Sequence, residues 1–301
     1  MITESSVSEL SIHRKVLRLM GNRFEISIVW PDKQEADKLI DLAVEEISRI
    51  ERLLTTFNEE SQTSLINRFA GIHPVKVDEE MIGLINRSKK ISNITQGAFD
   101  ITYGSVDKKF WNFDTAMSSL PDREEAAKAV RLINYRNVIV DEKRSTVFLK
   151  EKGMRIGFGG IGKGYAAEMA KKILISKGVG AGIVNAAGDL TAWGYQPNGK
   201  EWTIGIADPN AARRSFSSLK ITNSSVATSG NYEKFVVIDG KRYSHTIDPK
   251  TGYPVEGIKS VTIICTNAEI ADAMATPVMI MGIRVGLDLI NQIHAFDGRS
   301  L

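Results

Sequence analysis

The stretch SSVATSGNYEKFVVIDGKRYSHTIDPKTGYPVEGIKSVTIICTNAEIADAMATPVMIMG, Ser224 to Gly282, gathers one histidine, two Asp-containing turns, several hydroxyl side chains and an Asp-x-x-x-Thr pair. Phe235 to Ile238 and Arg242 to Ile247 alternate as strands do, and Asp239-Gly240 between them is a dipeptide preferred by type I′ hairpin turns. This reading puts His245 on the second strand, just before a rigid turn from Asp248-Pro249 to Gly252. Asp272 and Thr276 are four residues apart, so on a helix a carboxylate and a hydroxyl share one face and reach one cation. Magnesium takes hard oxygen ligands, keeps several waters and shares substrate phosphates, so a metal-assisted phosphate site needs little more from the protein. The plainer alternative makes Asp272 a first-turn helix charge and Thr276 a filler of the core. The small or apolar neighbours Ala271, Ala273, Met274 and Ala275 favour a buried carboxylate, whose cost a cation would remove. Pro277 follows Thr276 at once, and an interior proline predicts a kink there.

Outward from this stretch, Arg23 to Trp30 reads as a strand. Ala36, Leu39, Ile40, Ala43, Ile47, Ile50 and Leu54 then recur at helical spacing, giving an amphipathic helix that ends near Thr55. Further helices are expected over Met81 to Ile91, Arg123 to Ile133 and Lys163 to Lys177, with Gly178 and Gly180 as stop signals. A hairpin is expected over Val138 to Lys150. Strands dominate from Gly182 to Thr266, and a last helical region runs from about Ala268 to Gln292. Strand-rich sequence set between helical segments predicts an α+β fold, with mixed or antiparallel sheets packed against helices. One large domain over 1–301 and two intimately packed lobes both satisfy this pattern.

Composition narrows the function. The 301 residues are 43% hydrophobic and 25% charged, enough for a substantial core. A net charge of +3 from 39 basic and 36 acidic residues, with no polybasic block, argues against a nucleic-acid partner. Cys265 is the only cysteine, so an internal disulfide and a cysteine-rich zinc site are excluded; its apolar neighbours, Val261 to Cys265, predict a buried inert thiol. The N-terminal residues from Met1 lack the apolar core of a signal peptide, and no run reads as a membrane span, so a cytoplasmic enzyme without membrane insertion is expected.

Gly157-Phe158-Gly159-Gly160-Ile161-Gly162-Lys163-Gly164 follows a strand-like run and opens a helix, so its amides suit a phosphate. Gly157, Gly159 and Gly162 spell the dinucleotide-binding G-x-G-x-x-G, while Gly157, Gly162 and Lys163 spell a P-loop up to its last residue. Gly164 supplies no hydroxyl for a P-loop magnesium, and Asp189 comes later than a Rossmann acid should. A strand-to-helix turn that uses glycine for close packing is the third reading.

Three ordered motifs resemble the ApbE-type FAD:protein FMN transferases: Thr228-Ser229-Gly230-Asn231-Tyr232, then Tyr243-Ser244-His245-Thr246-Ile247-Asp248-Pro249-Lys250-Thr251-Gly252-Tyr253-Pro254, then Ala271-Asp272-Ala273-Met274-Ala275-Thr276. Gly159 to Ala166 resembles the family's glycine segment, with Gly157 where an acid is usual. Leu19 to Phe24 resembles its entry strand, Thr55-Thr56-Phe57 with Ser61 to Asn67 another element, and Gly97 to Thr102 its G-A-F-D-I-T. Asn185 to Asp189 resembles N-x-G-G-D, with Ala187 in place of a glycine. The resemblance extends from about Leu17 to Ile290. It implies that Met20, Phe57, Ala98, Asp100, Gly160, Lys163, Asp189, Ser229 and His245 hold FAD, Phe57 by stacking. It implies magnesium on Asp272, Thr276 and the Gly160 carbonyl, with His245 as general base and Lys163 neutralising phosphate charge. The reaction implied is transfer of FMN from FAD to a Ser or Thr hydroxyl of a target protein carrying a D-x-x-[ST]-G-A-[ST] type motif, with release of AMP. A magnesium-dependent FAD pyrophosphatase, a non-catalytic FAD-binding protein and a nicotinamide oxidoreductase are the rival readings. Monomer and homodimer both remain open.

Overall fold

The computed structural model describes residues 9–107, 119–208, 215–230 and 235–296. Asn231 and Tyr232 of the first quoted motif lie outside the described residues. The chain divides into two compact units, one of Met1–Glu51, Gly162–Ala227 and Ile264–Ala271, the other of Arg52–Ile161, Thr228–Ile263 and Asp272–Leu301. The architecture is α+β, as expected.

The first unit is built around β1 (Ser11–Leu19), β2 (Asn22–Trp30), β6 (Gly182–Ala186) and β7 (Asp189–Trp193), each antiparallel to the next. The whole sheet runs β1-β2-β6-β7-β10-β13, where β10 is Ser224–Gly230 and β13 is Ser260–Cys265. Phe24, Ile26 and Ile28 alternate along β2 and are fully buried. In α1 (Lys33–Leu54), Ala36, Ile40, Ala43, Ile47 and Ile50 fall at three- and four-residue spacing and are also sealed from water. Burying each larger side chain of this kind contributes about 1.5–3 kcal/mol. Across β6 and β7 lies α5 (Gly162–Ser176). A second cluster joins Val29, Leu190, Ala192 and Val226 to Trp202 and Ile221 of the hairpin β8 (Trp202–Ala207) and β9 (Ser215–Ile221). Sequence periodicity passes over β1 because this edge strand is largely exposed on both faces, so no buried side imposes an apolar alternation on it.

The second unit contains the three-stranded sheet of β3 (Val75–Lys76), β5 (Thr146–Leu149) and β4 (Val138–Asp141). It also holds α2 (Gln62–Arg68), α3 (Glu79–Ile94), α4 (Arg123–Val130) and the hairpin β11 (Phe235–Ile238) with β12 (Lys241–Ser244). Met81, Leu84, Ile85, Val138 and Val147 form its fully buried interior. The turn joining β11 to β12 has Asp239 at φ 50° and Gly240 at φ 74°, both left-handed as a type I′ turn requires. Strand pairing ends at Ser244, so His245 lies in the bend just beyond β12 and not on it. The expected second strand is shorter because the Ser244 hydroxyl accepts the Thr246 N–H at 3.0 Å and draws the chain into a turn.

Four further expectations are corrected. The glycine loop is not preceded by a strand: β5 ends at Leu149 and residues 154–158 carry no regular structure. Both nucleotide-loop readings need a strand there and lose their context. The helix α6 (Ala268–Phe296) runs through Pro277 and breaks instead at Gly282, where φ is 83° and ψ 167°. Cys265 is half-buried, its thiol donating to the Asn267 carbonyl at 3.1 Å. Residues 268–293 of α6 are also apolar and long enough for a membrane crossing by length and composition, contrary to the sequence reading. The Gly282 break leaves roughly 14 continuous residues before it, about 21 Å at 1.5 Å per residue, against a hydrocarbon core of about 30 Å.

Two hairpin tips stand side by side at one end of the first unit's sheet. Met20-Gly21 joins β1 to β2, and Ala187-Gly188 joins β6 to β7, with the Ala187 N–H donating to the Arg23 carbonyl at 3.0 Å. Met20 (φ 50°) and Ala187 (φ 56°) are non-glycine residues in the left-handed region. That conformation costs an L-residue about 1–2 kcal/mol. Replacing Ala187 with glycine is therefore expected to raise unfolding stability by about 1 kcal/mol, less the unfolded-state entropy that glycine adds; equilibrium urea denaturation of both proteins measures it.

Candidate functional site

In the second unit, one buried carboxylate organises a short turn from which three other segments hang. Asp100 Oδ1 accepts the Thr102 N–H at 2.8 Å and the Thr102 hydroxyl at 2.6 Å, while Oδ2 accepts the Tyr135 N–H at 2.8 Å. It thereby caps the 3-10 turn Ile101–Ser105. The Ile101 carbonyl accepts the Gly157 N–H at 2.8 Å, and the Ser105 hydroxyl bonds both N–H and C=O of Arg155, at 2.8 and 3.1 Å. Asn67, held on α2 behind its N-cap Ser61, exchanges two hydrogen bonds with Ile156, at 2.7 and 3.0 Å. The approach to the glycine loop is thus fixed residue by residue from 155 to 157. Gly157 itself meets nothing within 4 Å of an added Cβ and has no left-handed φ, so a side chain is sterically admissible there.

The His245 segment is also pinned. Ile247 N–H donates to the Tyr103 hydroxyl at 2.9 Å, Asp248 N–H to the Tyr253 carbonyl at 2.8 Å, and Val255 N–H to the Thr246 carbonyl at 2.9 Å. Gly252 closes the turn at φ 73°, and a Cβ there would lie 2.1 Å from the Ala126 carbonyl oxygen. Asn67 closes the Ser61 to Asn67 element quoted from sequence, whereas Tyr103 is not singled out there. Asn67 belongs to an element whose spacing is visible; Tyr103 acts on a residue 144 positions away, and no local pattern marks it.

On α6, Asp272 is buried and Thr276 lies one turn further on, half-buried. The Ser229 hydroxyl of β10 stands 3.1 Å from that of Thr276. Carboxylate, hydroxyl and hydroxyl are hard oxygen donors, a set that fits a divalent cation sharing its shell with water and phosphate. No cluster of three or more His, Cys, Asp or Glu is found among the described residues.

In the first unit, Lys163 in the first turn of α5 forms an ion pair with Asp189, which is buried at the start of β7. Deeper along α5, Glu168 pairs with Lys171 at 2.7 Å and accepts the Ala268 N–H at the head of α6 at 3.0 Å. Lys171 in turn donates to the Thr191 hydroxyl at 3.1 Å. Of the remaining candidates, Met20 is half-buried at its hairpin tip with its N–H on Glu51 at 2.8 Å, and Ala98 is buried. Gly160 is half-buried near the Phe99 ring, and Phe57 is 99% exposed in the loop after α1. A large aromatic side chain left wholly in water is a ready stacking surface.

Burial is the leading influence on Asp100 and raises its pKa, with the Thr102 and Tyr135 bonds opposing it. A carboxyl whose pKa is higher folded than unfolded weakens the fold as pH rises through that interval, and the penalty is gone below both values. Asp100→Asn puts an NH2 against one of the donors, leaving a buried N–H unpaired, and is expected to cost about 1–3 kcal/mol at neutral pH. The deficit relative to the parent should widen as pH falls into the carboxylate range, because only the parent regains stability on protonation; thermal melts across that range check it.

The sequence profile of the ApbE family matches residues 20–297. A curated FAD:protein FMN transferase of Klebsiella pneumoniae (strain 342) is 34% identical over 281 residues, covering 93% of this chain and 85% of the relative. One from Escherichia coli (strain K12) is 28% identical over 271 residues, covering 88% and 77%. The crystal structure of the ApbE protein from Thermotoga maritima superposes with a TM-score of 0.85 at 31% identity, over 95% of this chain and 92% of that one. The apo flavinyl transferase ApbE of Pseudomonas stutzeri gives 0.81 at 25% identity, over 95% and 89%. With its profile matched over nearly the whole length and its fold reproduced in solved relatives, the chain belongs to the ApbE family.

Proposed function

We propose that this protein transfers FMN from FAD to a Ser or Thr hydroxyl of an acceptor protein, forming a phosphoester and releasing AMP. The observation that carries the reading is the oxygen donor set on α6 and β10: buried Asp272, Thr276 one turn on, and Ser229 beside it. Its relatives' shared name, FAD:protein FMN transferase, supports the same chemistry.

Asp272, Thr276 and the Gly160 carbonyl would hold magnesium. When bound, the ion supplies charge neutralisation on the FAD diphosphate, usually the largest contribution to phosphoryl-type transfer. His245 takes the proton from the acceptor hydroxyl as that oxygen bonds to the FMN phosphorus and the bond to the AMP oxygen breaks. Lys163 adds positive charge near the phosphates, and Asp189, its ion-pair partner, fixes where the ammonium stands. Phe57 offers its exposed ring to a planar ring system. The acceptor segment is of the D-x-x-[ST]-G-A-[ST] type.

The decisive experiment incubates the full chain with FAD and magnesium, with and without a peptide bearing that motif, and weighs the peptide. A mass gain of one FMN is expected; FMN release at equal rates in both tubes without an adduct favours hydrolysis of FAD, and intact FAD in both favours a binding protein. Chelation should abolish transfer. Asp272→Asn and Thr276→Ala are each expected to raise the magnesium needed for half-maximal rate by roughly tenfold or more, as lost oxygen ligands would. His245→Ala should lower kcat by about 10²-fold or more with little change in FAD binding, the usual worth of a positioned base.

A further inference from the structure

Tyr103 is the third residue of the 3-10 turn that Asp100 caps, and its own N–H bonds the Asp100 carbonyl at 3.0 Å. Its hydroxyl accepts the Ile247 N–H at 2.9 Å, two residues beyond His245. Ile247 is 2% exposed and packs with Ala129 and Val130, surrounded by Val106, Leu120, Ile133 and Tyr253. An N–H in such an apolar setting needs an acceptor, because water cannot replace one.

The backbone after His245 is held at several points. The Thr246 N–H on Ser244, the Thr246 carbonyl on Val255, the Asp248 N–H on Tyr253 and the Asp248 carbonyl on Gly252 are all made within residues 244–255. Local bonds of this kind fix the shape of a loop but let it tilt as a body. The Tyr103 hydroxyl comes from a different segment, itself anchored through Asp100 and Thr102, and acts two residues from His245; a further outside tie, the Tyr253 hydroxyl on the Pro121 carbonyl at 3.1 Å, acts eight residues away. Tyr103 is half-buried, and burial pushes its phenol up to about 12. It stays neutral throughout the range in which an enzyme works.

We propose that Tyr103 is a positioning residue for His245: its hydroxyl fixes the tilt of the 245–248 segment and so holds the imidazole in the orientation that deprotonates the acceptor. This rests on the transferase reading above. Tyr103→Phe keeps the ring and deletes only the tether. Val106→Ala removes packing from the same cluster without touching it.

With the FAD, magnesium and acceptor-peptide assay, Tyr103→Phe is expected to lower kcat roughly tenfold, within the range that small misplacements of a reacting group produce, while KM for FAD stays within about twofold. The shape of its pH profile should be unchanged, since no titrating group is lost. Val106→Ala should melt earlier but keep the parent kcat. Hydrogen exchange at residues 245–248 should accelerate in Tyr103→Phe and not in Val106→Ala. Parental kcat in Tyr103→Phe, or equal kcat losses in both variants, would overturn the proposal while leaving the transferase reading intact. Absence of transfer in the parent protein would instead overturn that reading. If Tyr103→Phe fails to fold, Tyr103→Gln, which keeps a side-chain acceptor, replaces it: a variant that restores slow exchange yet lacks turnover counts against the tether, and one that restores both supports it.

Discussion

A carboxylate out of water, with both oxygens occupied by N–H and O–H groups of its own unit, is the constraint on which the second unit's chemistry depends. Asp100 has no choice of partners: burial makes the charge costly, and three short hydrogen bonds make removal costlier. Because the partners lie in the following turn and at Tyr135, the carboxylate dictates the path of Ile101–Ser105. That turn then dictates two further paths, the approach to the glycine loop through Ile101 and Ser105 and the histidine bend through Tyr103. Residues distant in sequence are thus arranged by one local knot. This is an economical way to build a site from irregular backbone, where no helix or strand ladder is available to hold it.

The first unit uses a different device. Glu168 and Lys171 are a nearly buried ion pair on α5, a combination whose desolvation is repaid only when further hydrogen bonds complete it. The completion comes from the Ala268 N–H on one side and the Thr191 hydroxyl on the other, with Ser225 bonding Thr191 in turn at 3.0 Å. The first N–H of α6 is therefore met by a full carboxylate, which also favours the positive end of the helix dipole. Asn267 adds the conventional cap, its side chain accepting from Ile270.

Much of this was legible in the chain itself, and what was not has identifiable causes. The helical stripe of Ala36 to Leu54 and the Asp239-Gly240 turn are local patterns, and local physics decides them. The motifs that carry the family resemblance single out His245, Lys163 and Asp272 as candidates. Periodicity could not find β1, because a strand open on both faces has no core side to display. Helical angles continue past Pro277 and end at Gly282, which has no side chain to resist a left-handed φ. The strand expected before the glycine loop was replaced by side-chain and turn contacts from Asn67 and Ser105, which offer that backbone its hydrogen bonds without a neighbouring strand. Tyr103 was invisible for the plainest reason: a contact spanning 144 residues leaves no mark on either neighbourhood.

The discontinuity at Gly282 has a consequence for how disorder spreads. Helices melt from their ends, one i to i−4 bond after another, and a residue with ψ 167° interrupts that series. Past it, Ile283, Val285 and Leu287 are largely in water, so the distal segment is the weaker half. Fraying that begins at the far end halts before it reaches Thr276. The turn that carries Asp272 and Thr276 is insulated from the segment that follows it.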